Sequence, residues 1–136
     1  MSAEVVRAAT LVGRTSLPAA TESVPRARRY VGELLRKSGM KDPGEAELLV
    51  SELVTNAVAH ADSVSGGVSV AVFRRGSDFH IEVSDGGSTT STPQVPVELY
   101  EDSEGGRGLW LVRELASSWG WHETESGRVV WFRVAG

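Results

Sequence analysis

Within Ser51–Ala61, SELVTNAVAHA, three side chains that could do chemistry recur at every fourth position: Glu52, Asn56 and His60. Residues four apart advance about 40° around an α-helix, so the three share an arc of roughly 80°. Leu48, Val50, Leu53, Val54, Ala57 and Val58 occupy most of the remaining circumference, the pattern of a largely buried helix. The polar arc must then meet water, a ligand or other polar groups, because an unpaired carboxylate in an apolar interior costs several kcal/mol or changes its protonation. The plainer reading is a solvated stripe. Against it, Asn suits an exposed helix interior less well than Glu or Lys. The chemical reading is a site for a hydrated Mg²⁺ and a phosphate, with Asn56 offering a neutral oxygen ligand and Glu52 taking a proton from an attacking hydroxyl or holding a water. His60 alone is more often structural, and Glu52, His60 and His80 do not form a recognisable zinc spacing.

Two glycine-containing elements follow in the chain. In VSDGG, Val83–Gly87, a carboxylate ends an expected strand and two glycines follow at once. Asp85 there could accept from an amine such as the exocyclic amine of adenine while backbone approaches closely; a simple Asp-Gly turn explains the same letters. In EGGRGLWLV, Glu104–Val112, Gly105, Gly106 and Gly108 lead into an expected helix. Free N–H groups and the helix dipole at such a start favour a phosphate, and Arg107 could add a charge-assisted contact. A flexible linker capping a helix is the competing reading. Neither a P-loop nor the protein-kinase H-R-D and D-F-G signatures occur.

Local signals indicate the elements that must position these residues. TLVGRTSLPAA holds a weak first strand ending near Pro18. ESVPRARRYVGELLRKSGM predicts a helix with Ser23 as cap, an apolar stripe of Val31, Leu34 and Leu35, and Gly39 as terminator. KDPGEAELLVSELVTNAVAHAD predicts a second helix, capped by Asp42 with Pro43 at its first position and running to about Ala61. The period then becomes alternating. Val68, Val70 and Val72 fall on one side of one strand and Phe79, Ile81 and Val83 on one side of the next, joined through Arg75-Gly76-Ser77. Residues 86–106 read as a long lid or binding loop. RGLWLVRELASS predicts a third helix with Leu109, Val112, Leu115 and Ala116 inward, and two further strands turn at Ser126-Gly127. This order predicts an α+β two-layer sandwich, a mainly antiparallel or mixed sheet with three helices on one face. Residues 1–9 are expected to be a flexible tail and 10–136 a single domain.

Composition bounds the function. A net charge of −4 gives no basic field that would point to nucleic acid. With no cysteine, disulfides and thiolate metal sites are excluded. Neither a secretory h-region nor an apolar run long enough to span a bilayer is present, so the expectation is a cytoplasmic protein with no membrane partner.

Taken together and in order, SELVTNAVAHA, DGG, a long loop and GGRGLWLV resemble the N, G1 and G2 boxes of the GHKL ATP-binding superfamily, over about residues 24–134. In size and in the wording of the first and third boxes the chain looks most like the bacterial anti-sigma-factor serine/threonine kinases. The resemblance implies the Bergerat α/β sandwich and the cofactors ATP and Mg²⁺. It implies Asn56 as the magnesium ligand, Glu52 as general base and Asp85 as the adenine-binding aspartate, with Gly87 beside it. Gly105, Gly106, Arg107, Gly108 and Leu109 would lie at the phosphates, under a lid of 86–106. A sigma factor or its antagonist is the partner so implied, and a homodimer is plausible by the same resemblance. Two positions depart from the pattern. Thr89 stands at the second glycine of the G1 box, where Thr resists positive φ. Val129 stands at what looks like the place of a strand Thr near adenine, a loss of about 0.5–1.5 kcal/mol of hydrogen bonding. Arg26, Arg28 and Arg29 offer a partner-facing surface or simply a solvated basic face. The rival functions are an ATP-responsive binding module without phosphoryl transfer, a histidine-kinase-like catalytic domain, and an interaction domain that has lost ATP.

Overall fold

A computed structural model of the chain describes residues 9–60, 67–85, 116, 118–124 and 127–136. The elements are β1 (Ala9–Leu17), α1 (Ser23–Lys37), α2 (Gly44–His60), β2 (Val68–Arg75), β3 (Asp78–Asp85), β4 (Ser118–Thr124) and β5 (Gly127–Ala135). The five strands form one sheet in the order β1-β2-β3-β5-β4, and every pairing is antiparallel. The two described helices pack on one face. This is the expected α+β two-layer arrangement, with two helices among the described residues; the expected third helix lies outside them.

Alternation decides which strand residues meet the helices. Val68, Val70 and Val72 of β2, Phe79, Ile81 and Val83 of β3, and Phe132 and Val134 of β5 are buried against Ala27, Val31 and Leu35 of α1 and Leu49, Val50, Leu53, Val54 and Ala57 of α2. Each such side chain is worth about 1.5–3 kcal/mol when fully buried, so this layer dominates the stability of the domain.

The helix ends follow their sequence signals with one exception. Gly39 takes φ of 105°, and the amides of Gly39 and Met40 return to the carbonyls of Arg36 and Leu35 at 3.0 and 2.9 Å, closing α1. That left-handed residue is cheap only for glycine. Arg74 from β2 also donates to the Ser38 carbonyl at 3.0 Å, a cation at the negative end of α1. Asp42 caps α2 by accepting from the Gly44 amide at 3.0 Å. Ser23, expected as the cap of α1, instead lies inside the helix, and its hydroxyl donates to the Pro18 carbonyl at 2.6 Å. The position before it, Glu22, has helical dihedrals and makes no side-chain cap. Ser23 therefore ties the helix start to the end of β1 and leaves the first-turn amides alone.

Candidate functional site

The burial of α2 places its polar line at a boundary. Ala46, Leu49, Val50, Leu53, Val54 and Ala57 enter the core, whereas Glu45, Thr55 and Ala59 are exposed. Leu48, expected within the buried girth, is instead 41% exposed, so the apolar arc is narrower than the letters suggest. Glu52 and Asn56 are half-buried between the two arcs. Two hydroxyls on the same helix bond back to it, Ser51 to the Glu47 carbonyl at 2.9 Å and Thr55 to the Ser51 carbonyl at 2.7 Å. They are satisfied locally. Asn56 is not: its Nδ2 is inaccessible to solvent and has no hydrogen-bond partner among the described residues. Leaving a buried amide unpaired costs about 1–3 kcal/mol, so its capacity is in keeping with a ligand that completes it.

Asp85 ends β3. It continues the alternating series of Phe79, Ile81 and Val83 onto the helix-covered face and is 5% exposed. A carboxylate so enclosed must be served by donors. The helix α2 packs across β3 and β2, and Asp85 ends the inward-facing series of β3 beneath that layer.

The strand register decides which residues of β5 face the end of β3. Val129 pairs with Ser84 of β3, and therefore shares the helix-free face with it. The residue directly opposite Asp85 is Arg128. Arg128, one residue before Val129, therefore lies on the face of Asp85, because a shift of one residue along a strand exchanges its faces.

The helix-free face holds a second polar group that sequence reasoning missed. His80 Nε2 lies 3.0 Å from Glu82 Oε2, and Arg133 Nε donates to His80 Nδ1 at 3.1 Å. With Nδ1 accepting, the imidazole proton sits on Nε2 and goes to Glu82. That hydrogen bond is the main reason the Glu82 carboxyl is held below the usual range, with burial opposing it and His122 and Arg14 adding smaller favourable fields. The His80 ring stacks on Trp131 at 5.2 Å, meets Phe73 edge-on at 5.8 Å, and Arg133 covers the Trp131 ring at 4.7 Å. Gly120 on the neighbouring strand makes room for this indole, since a Cβ there would stand 2.7 Å from it. The alternation in DFHIEVSD already places His80 and Glu82 on one face; the partner in β5 is distant in sequence and leaves no local signal.

Gly87, Gly105, Gly106, Arg107, Gly108 and Leu109, together with Thr89 and the expected lid at 86–106, lie outside the described residues, as does the side chain of His60. Among the described residues no group of three or more His, Asp or Glu gathers as a metal cage. A magnesium ion held by one amide oxygen together with phosphate and water needs no such cage; the orphaned atom of Asn56 is its Nδ2, a donor that suits a phosphate oxygen, and its Oδ1 is the atom that would hold the ion.

The chain matches the family model of the "Histidine kinase-like ATPase domain" over residues 17–134 and belongs to that family. It is a GHKL-superfamily ATP-binding domain of the kinase-related kind. Among solved structures it is similar to the histidine kinase domain from the Erythrobacter litoralis EL346 blue-light activated histidine kinase, at TM-score 0.54 and 21% identity. The match covers 88% of this chain and 61% of that one, and at this identity it speaks for the fold. No curated protein matches the chain significantly. No described helix is long and apolar enough to cross a membrane.

Proposed function

We propose that the protein is a Mg-ATP-dependent regulatory protein serine/threonine kinase of the anti-sigma-factor type, acting on a protein antagonist or holding a sigma factor. The observation that supports the proposal is the buried amide nitrogen of Asn56, which has no hydrogen-bond partner among the described residues, one turn after Glu52 on α2, together with the buried carboxylate of Asp85 at the end of β3. Asp85 accepts the exocyclic amine of adenine. Asn56 would hold Mg²⁺ through its amide oxygen, and the ion, when bound, offsets charge on the triphosphate. Glu52 is half-buried one turn before Asn56 and takes the proton from a serine or threonine hydroxyl of the partner. That oxygen then bonds to the γ-phosphorus as the bond to the β-phosphate oxygen breaks, and ADP leaves. Gly105, Gly106, Arg107, Gly108 and Leu109 are proposed for the phosphate end by their order in the chain. Cytoplasmic location and a homodimer remain part of the same proposal.

The test is transfer of labelled γ-phosphate from ATP to candidate antagonist proteins encoded beside this chain, with Glu52→Ala as control. Acid-stable label on Ser or Thr, lost by on the order of 100-fold or more in Glu52→Ala, is expected for a general base. Undiminished transfer by Glu52→Ala removes the assigned base. Acid-labile label on a partner histidine overturns the serine/threonine assignment in favour of histidine-kinase chemistry.

A further inference from the structure

The row of residues across the sheet at the Asp85 end runs Val68, Asp85, Arg128, Glu123 through β2, β3, β5 and β4. Residues directly opposite in antiparallel strands share a face, with Cβ atoms about 4.5–5.5 Å apart. Arg128 therefore stands on the helix-covered face next to the buried carboxylate of Asp85, half-buried itself, with the exposed Glu123 on its far side. A guanidinium carries five N–H donors in a fixed fork, so one arginine can serve neighbouring carboxylates and still present a donor to a third group. Side by side on this face, Asp85 carries an acceptor and Arg128 donors. The edge of adenine offers the complement: an amine donor on C6 beside the acceptor N1.

We propose that Arg128 is a base-contacting residue of this site, donating to purine N1 while Asp85 accepts from the adjacent amine. This rests on the nucleotide reading above and adds a residue to it that the resemblance does not supply. A charged donor to a buried acceptor is worth about 1.5–3 kcal/mol, roughly a 10- to 150-fold change in affinity. The rival role is purely local: Arg128 bonds only to carboxylates and holds Asp85 in place.

The discriminating probe is 1-deaza-ATP, in which N1 is replaced by C–H. Calorimetry with Mg²⁺ compares ATP and 1-deaza-ATP on the wild-type chain and on Arg128→Leu, with circular dichroism and thermal melts to verify folding. The expected result is a preference of about tenfold or more for ATP in the wild type and equal binding of the two nucleotides by Arg128→Leu. Should that variant fail to fold, Arg128→Lys, which keeps the charge and loses the fork, is expected to show a reduced preference. A variant that weakens both nucleotides by the same factor overturns the N1 contact and leaves the ATP site standing. A wild-type chain that binds ATP and 1-deaza-ATP equally overturns it as well. Absence of any nucleotide binding to the wild type overturns the proposed function itself, and this contact with it.

Discussion

Two polar clusters on opposite sides of the sheet stand in different states. On the helix-free face, His80, Glu82 and Arg133 satisfy one another, donor to acceptor, and the aromatic rings of Phe73 and Trp131 enclose the imidazole. On the helix side, Asn56 keeps a buried amide nitrogen without a partner among the described residues, and a carboxylate is buried at the end of β3. A closed network adds rigidity and stability and asks for nothing further. An open one costs stability until something binds. Polarity and burial alone do not separate a structural cluster from a site; the state of the hydrogen-bonding account does.

The largest effect that could break this contrast is on Asn56. Replacing it by Leu removes the orphaned amide and keeps a similar volume. Its thermal stability is expected to be unchanged or raised by about 1 kcal/mol, while Mg-ATP affinity falls on the order of tenfold or more. A variant that is strongly destabilised would mean that the amide is already paired within the fold, and the contrast would fail. On the other face the signs reverse. His80→Ala removes two hydrogen bonds and a ring stack and is expected to cost about 1–3 kcal/mol in urea melts, with ATP affinity within about twofold of wild type. A large loss of ATP affinity at retained stability would place His80 in the site.

The smallest expected effect is a pH dependence. The Glu82 carboxyl is held low chiefly by the His80 hydrogen bond. A depressed folded-state value means that its contribution to stability is in place above the unfolded carboxylate value of about 4.3 and is lost as pH falls through the lower folded value. Between pH 6 and pH 3, wild type should lose more stability than Glu82→Gln, whose curve lacks this component. Parallel curves would show that the bond contributes nothing measurable, as many exposed ion pairs do.

Much of the architecture was legible from local letters. Alternation in GVSVAVFR and DFHIEVSD gave β2, β3 and their shared buried face, and Asp42-Pro43 and Gly39 marked real helix ends. Asp85 stood out in the letters as a strand-end carboxylate before two glycines, and its burial follows from continuing the inward series of its strand. What local letters could not carry was register. Pairing places Arg128 opposite Asp85, and that facing is decided by a partner strand more than forty residues away. The His80–Arg133 bond, at a sequence separation of 53, was hidden for the same reason. Ser23 carried the right residue type for a cap, and a tertiary acceptor at Pro18 claimed its hydroxyl instead. The apolar arc of α2 is narrower than its letters suggest, with Leu48 exposed.

The central claim is that the interlayer region at Asp85 and Asn56 is an ATP site, and calorimetry with ATP and Mg²⁺ on the wild-type chain and on Asp85→Asn tests it most directly. The expected result is saturable binding by wild type and a loss of about 10- to 100-fold in Asp85→Asn, the cost of removing a charged acceptor from a buried hydrogen bond, with the melting curve retained. Undetectable binding to wild type at millimolar ATP, or equal affinity in the two proteins, would contradict it.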